Sequence, residues 1–272
     1  WYPRGGMIRI PEALLRCGEK DGLEIRMQTP VKKVVVRGGR AQGVILEDGS
    51  QITSRVVVSN VNPKMLYLDL IGEEHLPWLT KRGVRSLKLG KSLCMIYVGL
   101  DTTPPLSAHH SFTAVSMQEV NDFWTAHVET GVMLPARKNY GLFCWPSHSD
   151  DTLAPKGHHV INVIPESFYR LKDTTWDSFK DKFVEDYIDY VSERLIPGLK
   201  GHITQVVASS PRDYERNLRL PEGALYCFDQ DVTHQAVLRP SAKSKCIEGL
   251  YLCGSGTHPG GGVPMTVGSG YI

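Results

Sequence analysis

The residues best suited to chemistry lie near the end of the chain. There Leu250-Tyr251-Leu252-Cys253 runs into Gly254-Ser255-Gly256-Thr257-His258-Pro259-Gly260-Gly261-Gly262 and on to Val263-Pro264-Met265. Five glycines among residues 254–262 let backbone approach a ligand with no Cβ in the way. The pattern reads as a short buried strand, a glycine loop and a helix opening near Pro264, whose unpaired N–H groups and dipole favour negative charge. An ordinary glycine-rich turn has the same composition, so the motif by itself leaves both readings open. His258 lies inside this loop. Its imidazole can serve as an acid or base near neutrality, or simply orient the loop through a hydrogen bond.

A second polar loop, Ser59-Asn60-Val61-Asn62-Pro63, follows the apolar run Val56-Val57-Val58. The continuous valines predict a strand buried on both faces, which puts the loop at a ligand side, although Asn and Pro also make a plain turn. Arg239 can hold a cofactor phosphate or a surface salt bridge. The ten histidines include the doublets His109-His110 and His158-His159. With no His-Glu-x-x-His and no compact carboxylate partner, no metal site is expected.

These groups must be positioned by a chain of 272 residues, 41% hydrophobic and 22% charged, with a formal net charge of +2. Such numbers describe an ordinary globular protein and suggest no nucleic-acid partner. No apolar run reaches the roughly 18 residues of a membrane span, and no signal peptide opens the chain. The six cysteines, without a Cys-x-x-Cys, read as reduced and mostly buried thiols of a cytoplasmic protein. The opening at Trp1, with no Met, and the stop at Ile272, where a helix is still gathering length, read as the ends of a fragment of a longer protein.

Periodicity predicts a short helix over 7–20, with Pro11 in its first turn. Strands are expected at 23–27, 31–36, 41–46 and 51–59. The turns Arg37-Gly38-Gly39-Arg40 and Asp48-Gly49 make them a meander. From about 64 to 201 the texture is mixed α and β, with strands at 92–100, 140–145 and 158–164. A long helix at 176–195 is capped by Thr174 with Asp177, stopped by Pro197-Gly198, and turns its aromatic stripe to a sheet. Strands return at 203–208, 223–228 and 250–253.

The order of these segments resembles the flavin-containing amine oxidase and phytoene desaturase superfamily. Tyr2-Pro3-Arg4-Gly5-Gly6-Met7, Leu23-Glu24-Ile25-Arg26, Val31-Lys32-Lys33-Val34, Gly43-Val44-Ile45-Leu46-Glu47-Asp48-Gly49 and Val56-Val57-Val58-Ser59-Asn60 carry the first half. Gln235-Ala236-Val237-Leu238-Arg239-Pro240 and the glycine loop carry the second. Gly-Thr-His-Pro-Gly-Gly-Gly is the most specific element, similar to bacterial-type phytoene desaturases, carotenoid isomerases and retinol-saturase-like enzymes. The resemblance departs in one respect: the family's N-terminal strand-glycine-helix fingerprint for the ADP part of FAD is absent.

The resemblance implies an α/β fold in which Rossmann-like FAD-binding parts, residues 1–63 and 211–272, flank a mixed α+β substrate domain, residues 64–210. It implies FAD as cofactor. Val31 would offer backbone to the adenine, and Gly254 and Ser255 would approach the ribityl-pyrophosphate region. Gly262, Val263, Pro264 and Met265 would sit by the pyrimidine edge of the flavin, and Arg4, Gly5 and Gly6 close to its ring. The expected function is an FAD-dependent oxidoreductase of desaturase or isomerase type, taking hydride from a hydrophobic isoprenoid or carotenoid-like substrate held in an apolar tunnel, with the isolated fragment inactive. An oxidoreductase of another substrate and a flavin-free binding or scaffold remnant are the alternatives. The catalytic residue is not assigned, His258 being the one candidate. The resemblance also implies peripheral association with a membrane surface without spanning it, which agrees with the lack of a transmembrane run.

Overall fold

The computed structural model describes residues 2–112, 116–118, 120–122, 125, 132–133, 135–136, 139, 141–232, 234 and 238–271. In chain order its elements are α1 (Arg9–Lys20), β1 (Val31–Arg37), β2 (Arg40–Leu46), β3 (Gln51–Thr53), β4 (Val57–Ser59), the π-helical α2 (Met65–Gly72) and α3 (Trp78–Ser86). Then follow β5 (Met95–Leu100), β6 (His110–Phe112), β7 (Gly141–Cys144), α4 (Pro146–Ser149), β8 (His159–Pro165), α5 (Trp176–Tyr190), β9 (Ile203–Ser209), α6 (Pro211–Leu218), β10 (Leu250–Leu252) and α7 (Val263–Gly268). The chain forms two compact units, Trp1–Glu24 with Ser92–Asn217, and Ile25–Lys91 with Leu218–Ile272.

The first unit is a five-stranded sheet in the order β6-β7-β8-β5-β9, antiparallel throughout. In β5, Ile96, Val98 and Leu100 are fully buried while the residues between them are partly exposed, the two-residue period of a sheet with one covered face. Ile161 and Val163 of β8 and Phe143 of β7 join them against Trp176, Phe183, Tyr187 and Ile188 of α5. Each such side chain contributes about 1.5–3 kcal/mol by leaving water. A Cβ on Gly141 would lie 2.5 Å from the Tyr187 hydroxyl, so only glycine lets β7 come this near α5.

In the second unit, β1, β2 and β3 form the expected meander. α2 packs Leu66, Tyr67 and Ile71 into one cluster with Val34, Val36 and Ala41. Leu250 and Leu252 complete this core from β10, which pairs in parallel with β4.

The structure departs from the sequence expectations at several places. Residues 23–27 are not a strand: the chain turns at Gln28, with φ of 52°, and Leu23, Ile25 and Met27 are exposed. The expected strand 51–59 is two strands, because Ser54 and Val56 close a local turn between β3 and β4. Val56 and Val58 are 49% and 63% exposed, not buried on both faces, since β4 has only β10 beside it among the described residues. Residues 223–228 bend instead of extending, with positive φ at Gly223 and Cys227. The long helix starts from Thr175 with no side-chain cap bond, so Thr174 with Asp177 does not cap it. Its last turn, Val191–Leu195, is π-helical and precedes the left-handed Gly198.

The two units are cut differently from the segments 1–63, 64–210 and 211–272. Residues 1–24 belong with the five-stranded sheet, and 64–91 belong with the meander because α2 packs on β1. Tyr140 and 235–237, named above, lie outside the described residues. Among the described residues no helix is long and apolar enough to cross a membrane. All six cysteines are free thiols. Cys94 and Cys227 are buried, Cys17 is exposed and the other three are intermediate, so fewer are buried than expected. Burial pushes Cys94 and Cys227 up to about 12.

Candidate functional site

In the second unit the parallel strands β4 and β10 run side by side, Leu252 level with Ser59, so the loops leaving their carboxyl ends meet. The Cys253 N–H donates to the Ser59 carbonyl at 2.9 Å. A Cβ on Gly254 would touch Asn60 at 3.5 Å, and one on Gly256 would stand 2.5 Å from Pro63. The two polar loops singled out by sequence are therefore one structure. Ligands of open α/β sheets bind beyond the carboxyl ends of parallel strands, and both loops occupy that place.

The glycine loop is held by buried polar groups. Ser269 Oγ of the residue after α7 accepts the Gly254 N–H at 2.7 Å and donates to the Thr266 carbonyl at 2.7 Å. Thr257, fully buried, donates from Oγ1 to the carbonyls of Gly254 and His258. Arg239 is neither a surface ion pair nor exposed: it is buried and donates to the carbonyls of Ser255 at 2.7 Å and Phe228 at 3.4 Å. Burial lowers its pKa, offset by the neighbouring Cys227. Sequence reasoning missed Ser269 and Thr257. The only signal was small hydroxyl residues beside glycines, which is common to most loops.

His258 is exposed. Its N–H donates to the Pro240 carbonyl at 3.1 Å, so its backbone helps to set the loop. Gly262, with φ of 101°, has open space where a Cβ would stand. No side chain caps α7, and Pro264 lies in its first turn. Val263 and Met265 beside it are about half exposed. A glycine with nothing against it, an uncapped helix start and exposed apolar side chains suit a flat, partly apolar, electron-rich ring. The cradle thus fits a flavin. Val31 opens β1, one of the two edge strands of the meander, and an edge strand carries backbone groups that no neighbouring strand uses.

Arg4, Gly5 and Gly6 belong to the other unit. Gly5 and Gly6 have φ of 86° and 88°, and the Gly6 N–H closes a turn on the Pro3 carbonyl at 3.0 Å. The Gly5 N–H donates to the Asp150 carboxylate, which also accepts from the hydroxyl and the N–H of Thr152 at 2.6 and 3.0 Å. Those bonds, the Thr152 hydroxyl first, hold the Asp150 carboxyl below its usual range, with help from Arg4. Asp150 escaped the sequence reading because it lies some 145 residues from the turn it anchors. Nearby, His109 and His110 stand against Cys144, a grouping the sequence did not suggest. Burial first, then His110 and His148, lowers the His109 pKa.

Two clefts lie among the described residues of the first unit. One of about 550 Å³ lies between α5 and β9, lined by Val184, Ile188, Ile203 and charged residues including Lys180 and Asp189. The other, about 320 Å³, includes Tyr97, Leu153, Pro155, His158 and Val207. Neither is the long apolar tunnel expected from the sequence.

A glycine loop and helix start lie beyond the carboxyl ends of parallel strands on an α/β scaffold, which is the fold of FAD-dependent oxidoreductases. The chain belongs to the family described as flavin containing amine oxidoreductase, whose model matches residues 1–272, and within that superfamily it is phytoene desaturase-like, with FAD as its cofactor. It is 31% identical to pyridine nucleotide-disulfide oxidoreductase domain-containing protein 2 of Mus musculus, over 96% of this chain and 48% of that protein. It is 29% identical to the neurosporene-forming phytoene desaturase of Rhodobacter capsulatus, over 100% of this chain and 52% of the other. The chain spans about half the length of these relatives. An oxidoreductase from Methanosarcina mazei shares the fold, with a TM-score of 0.62 at 18% identity over 98% of this chain and 52% of its own.

Proposed function

We propose that this chain is part of an FAD-dependent oxidoreductase of desaturase or isomerase type acting on a hydrophobic isoprenoid or carotenoid-like substrate. The observation that carries the reading is the cradle at 254–265, an open Gly262 before an uncapped helix start. Bound FAD supplies the hydride acceptor. Gly254, Ser255, Gly262, Val263, Pro264 and Met265 would hold it, with Val31 offering backbone to the adenine. The start of α7 favours negative charge beside it, by about 0.3–1 kcal/mol. Arg4, Gly5 and Gly6 keep the role that the resemblance implies. His258, exposed, is a loop-setting residue in this reading.

The phytoene desaturase relatives support the substrate class. A second reading, a different substrate on the same fold, is favoured by the mouse relative, whose name carries no carotenoid. The test is the absorption spectrum of the intact protein without oxygen. Flavin bands that bleach on adding a phytoene-like polyene support the first reading, and bands that ignore polyenes support the second. A colourless, folded protein would overturn both.

Peripheral membrane contact is part of the proposal. On α3, Trp78 and Leu79 are 66% and 73% exposed beside Arg82, whose guanidinium lies 5.5 Å from the Trp78 ring centre, a combination suited to an anionic lipid surface. Sedimentation with anionic vesicles, lost in Trp78→Ser, checks it.

A further inference from the structure

Residues adjacent in a strand point to opposite faces, so two neighbouring histidines seldom meet one partner. Here they do. His110 opens β6 directly across from Cys144 of β7. His109 lies just outside the strand, its carbonyl accepting the Trp145 N–H at 2.7 Å, and is released from the alternation. Both imidazoles turn to the same sulfur. His109 Nε2 is 3.2 Å and His110 Nε2 3.7 Å from Cys144 Sγ, the ring centres are 4.6 Å apart, and one ligand atom from each residue lies within 4.8 Å of the others.

We propose that His109, His110 and Cys144 form a zinc-binding site. A tetrahedral zinc with Zn–S of about 2.3 Å and Zn–N of about 2.0–2.1 Å separates its sulfur and nitrogen ligands by roughly 3.5 Å. The two sulfur to nitrogen distances bracket that value. The second nitrogen of His109 is also committed: Nδ1 lies 2.7 Å from Ser149 Oγ. With Nδ1 donating to that hydroxyl, the Nε2 lone pair faces Cys144, the outer hydrogen bond that zinc-binding imidazoles normally have. The thiol proton leaves to solvent when the thiolate takes the metal. His110 is exposed, so the ion has an entry path and its fourth position is open to water. Two imidazoles and one thiolate are nitrogen and sulfur donors that suit zinc and do not suit magnesium or calcium.

The test uses the intact protein, stripped with a chelator and titrated with zinc, then with cobalt as a spectroscopic substitute. The expected result is one equivalent bound at this site. Cobalt should give a thiolate charge-transfer band and visible bands of tetrahedral intensity in the difference spectrum. Cys144→Ser should abolish the charge-transfer band. His110→Gln, on an exposed side chain, should weaken zinc at least about tenfold with an unchanged circular dichroism spectrum. Cys246→Ser should change nothing. No stoichiometric zinc, or a charge-transfer band that survives Cys144→Ser, would overturn the proposal. If Cys144→Ser does not fold, the His110→Gln titration decides, since unchanged affinity there also overturns it.

Discussion

Both units have an apolar core, but the sheet face under α5 and the loop that carries the candidate site are held by different means. In the first, β5, β7 and β8 alternate cleanly and α5 covers one face with Trp176, Phe183, Tyr187 and Ile188. In the second, the part that carries the candidate site is a loop of glycines tied by Arg239, Thr257 and Ser269. A packed face tolerates exchange among apolar residues of similar volume. A polar clamp does not, because each lost partner leaves a buried group unsatisfied. Damage to the face under α5 should therefore appear as lost stability, and damage to the clamp as lost cofactor.

The largest stability effect is expected for Ile161→Ala, which removes a fully buried side chain from under α5. A loss of about 2–5 kcal/mol should appear in urea denaturation, with flavin content per folded molecule unchanged. Flavin loss from this variant would erase the contrast between the units. Next, Arg239→Met strips two carbonyls of their donor. It should cost about 1–3 kcal/mol, and the folded intact protein should release FAD on gel filtration. Full retention would show that the clamp does not shape the cradle.

Gly262→Val sharpens the comparison further. With φ of 101° and ψ of 146°, a backbone region left almost entirely to glycine, the substitution costs about 1–3 kcal/mol of strain, while its Cβ has nothing within 4 Å. It should lower FAD affinity more than that strain explains. A fall in affinity no larger than the fall in stability would remove Gly262 from the cradle.

The smallest effect belongs to Asp150→Asn. The native carboxyl is held below its ordinary value by Thr152, Gly5 and Arg4. Its stabilisation is thus present above the unfolded value, about 3.9, and is lost as pH falls through the lower folded value. Native and variant stabilities should differ at neutral pH and converge in acid. A difference that stays unchanged as pH falls through the lowered folded value would show that the carboxylate charge is not what anchors the Gly5 turn.

The sequence by itself determined the local devices. The Gly38-Gly39 and Asp48-Gly49 turns form the meander, Pro264 starts α7, and the aromatic stripe of α5 faces a sheet. These follow from backbone preference and periodicity over a few residues, which neighbours in sequence suffice to express. Family membership and FAD were also legible there, in the glycine loop and the order of segments.

Tertiary structure decided which distant segments share a neighbourhood. Ser59 to Pro63 meets Gly254 to Gly256 because β4 pairs with β10 across some 190 residues, and the burial expected for Val56 and Val58 fails because β4 has one partner. Arg239, written in sequence as a phosphate ligand or surface charge, becomes a buried clamp. Asp150 reaches Gly5, and Cys144 reaches His109 and His110, over separations that no local pattern encodes. Such pairings depend on which strands register against which, and that is fixed by the packing of whole sheets.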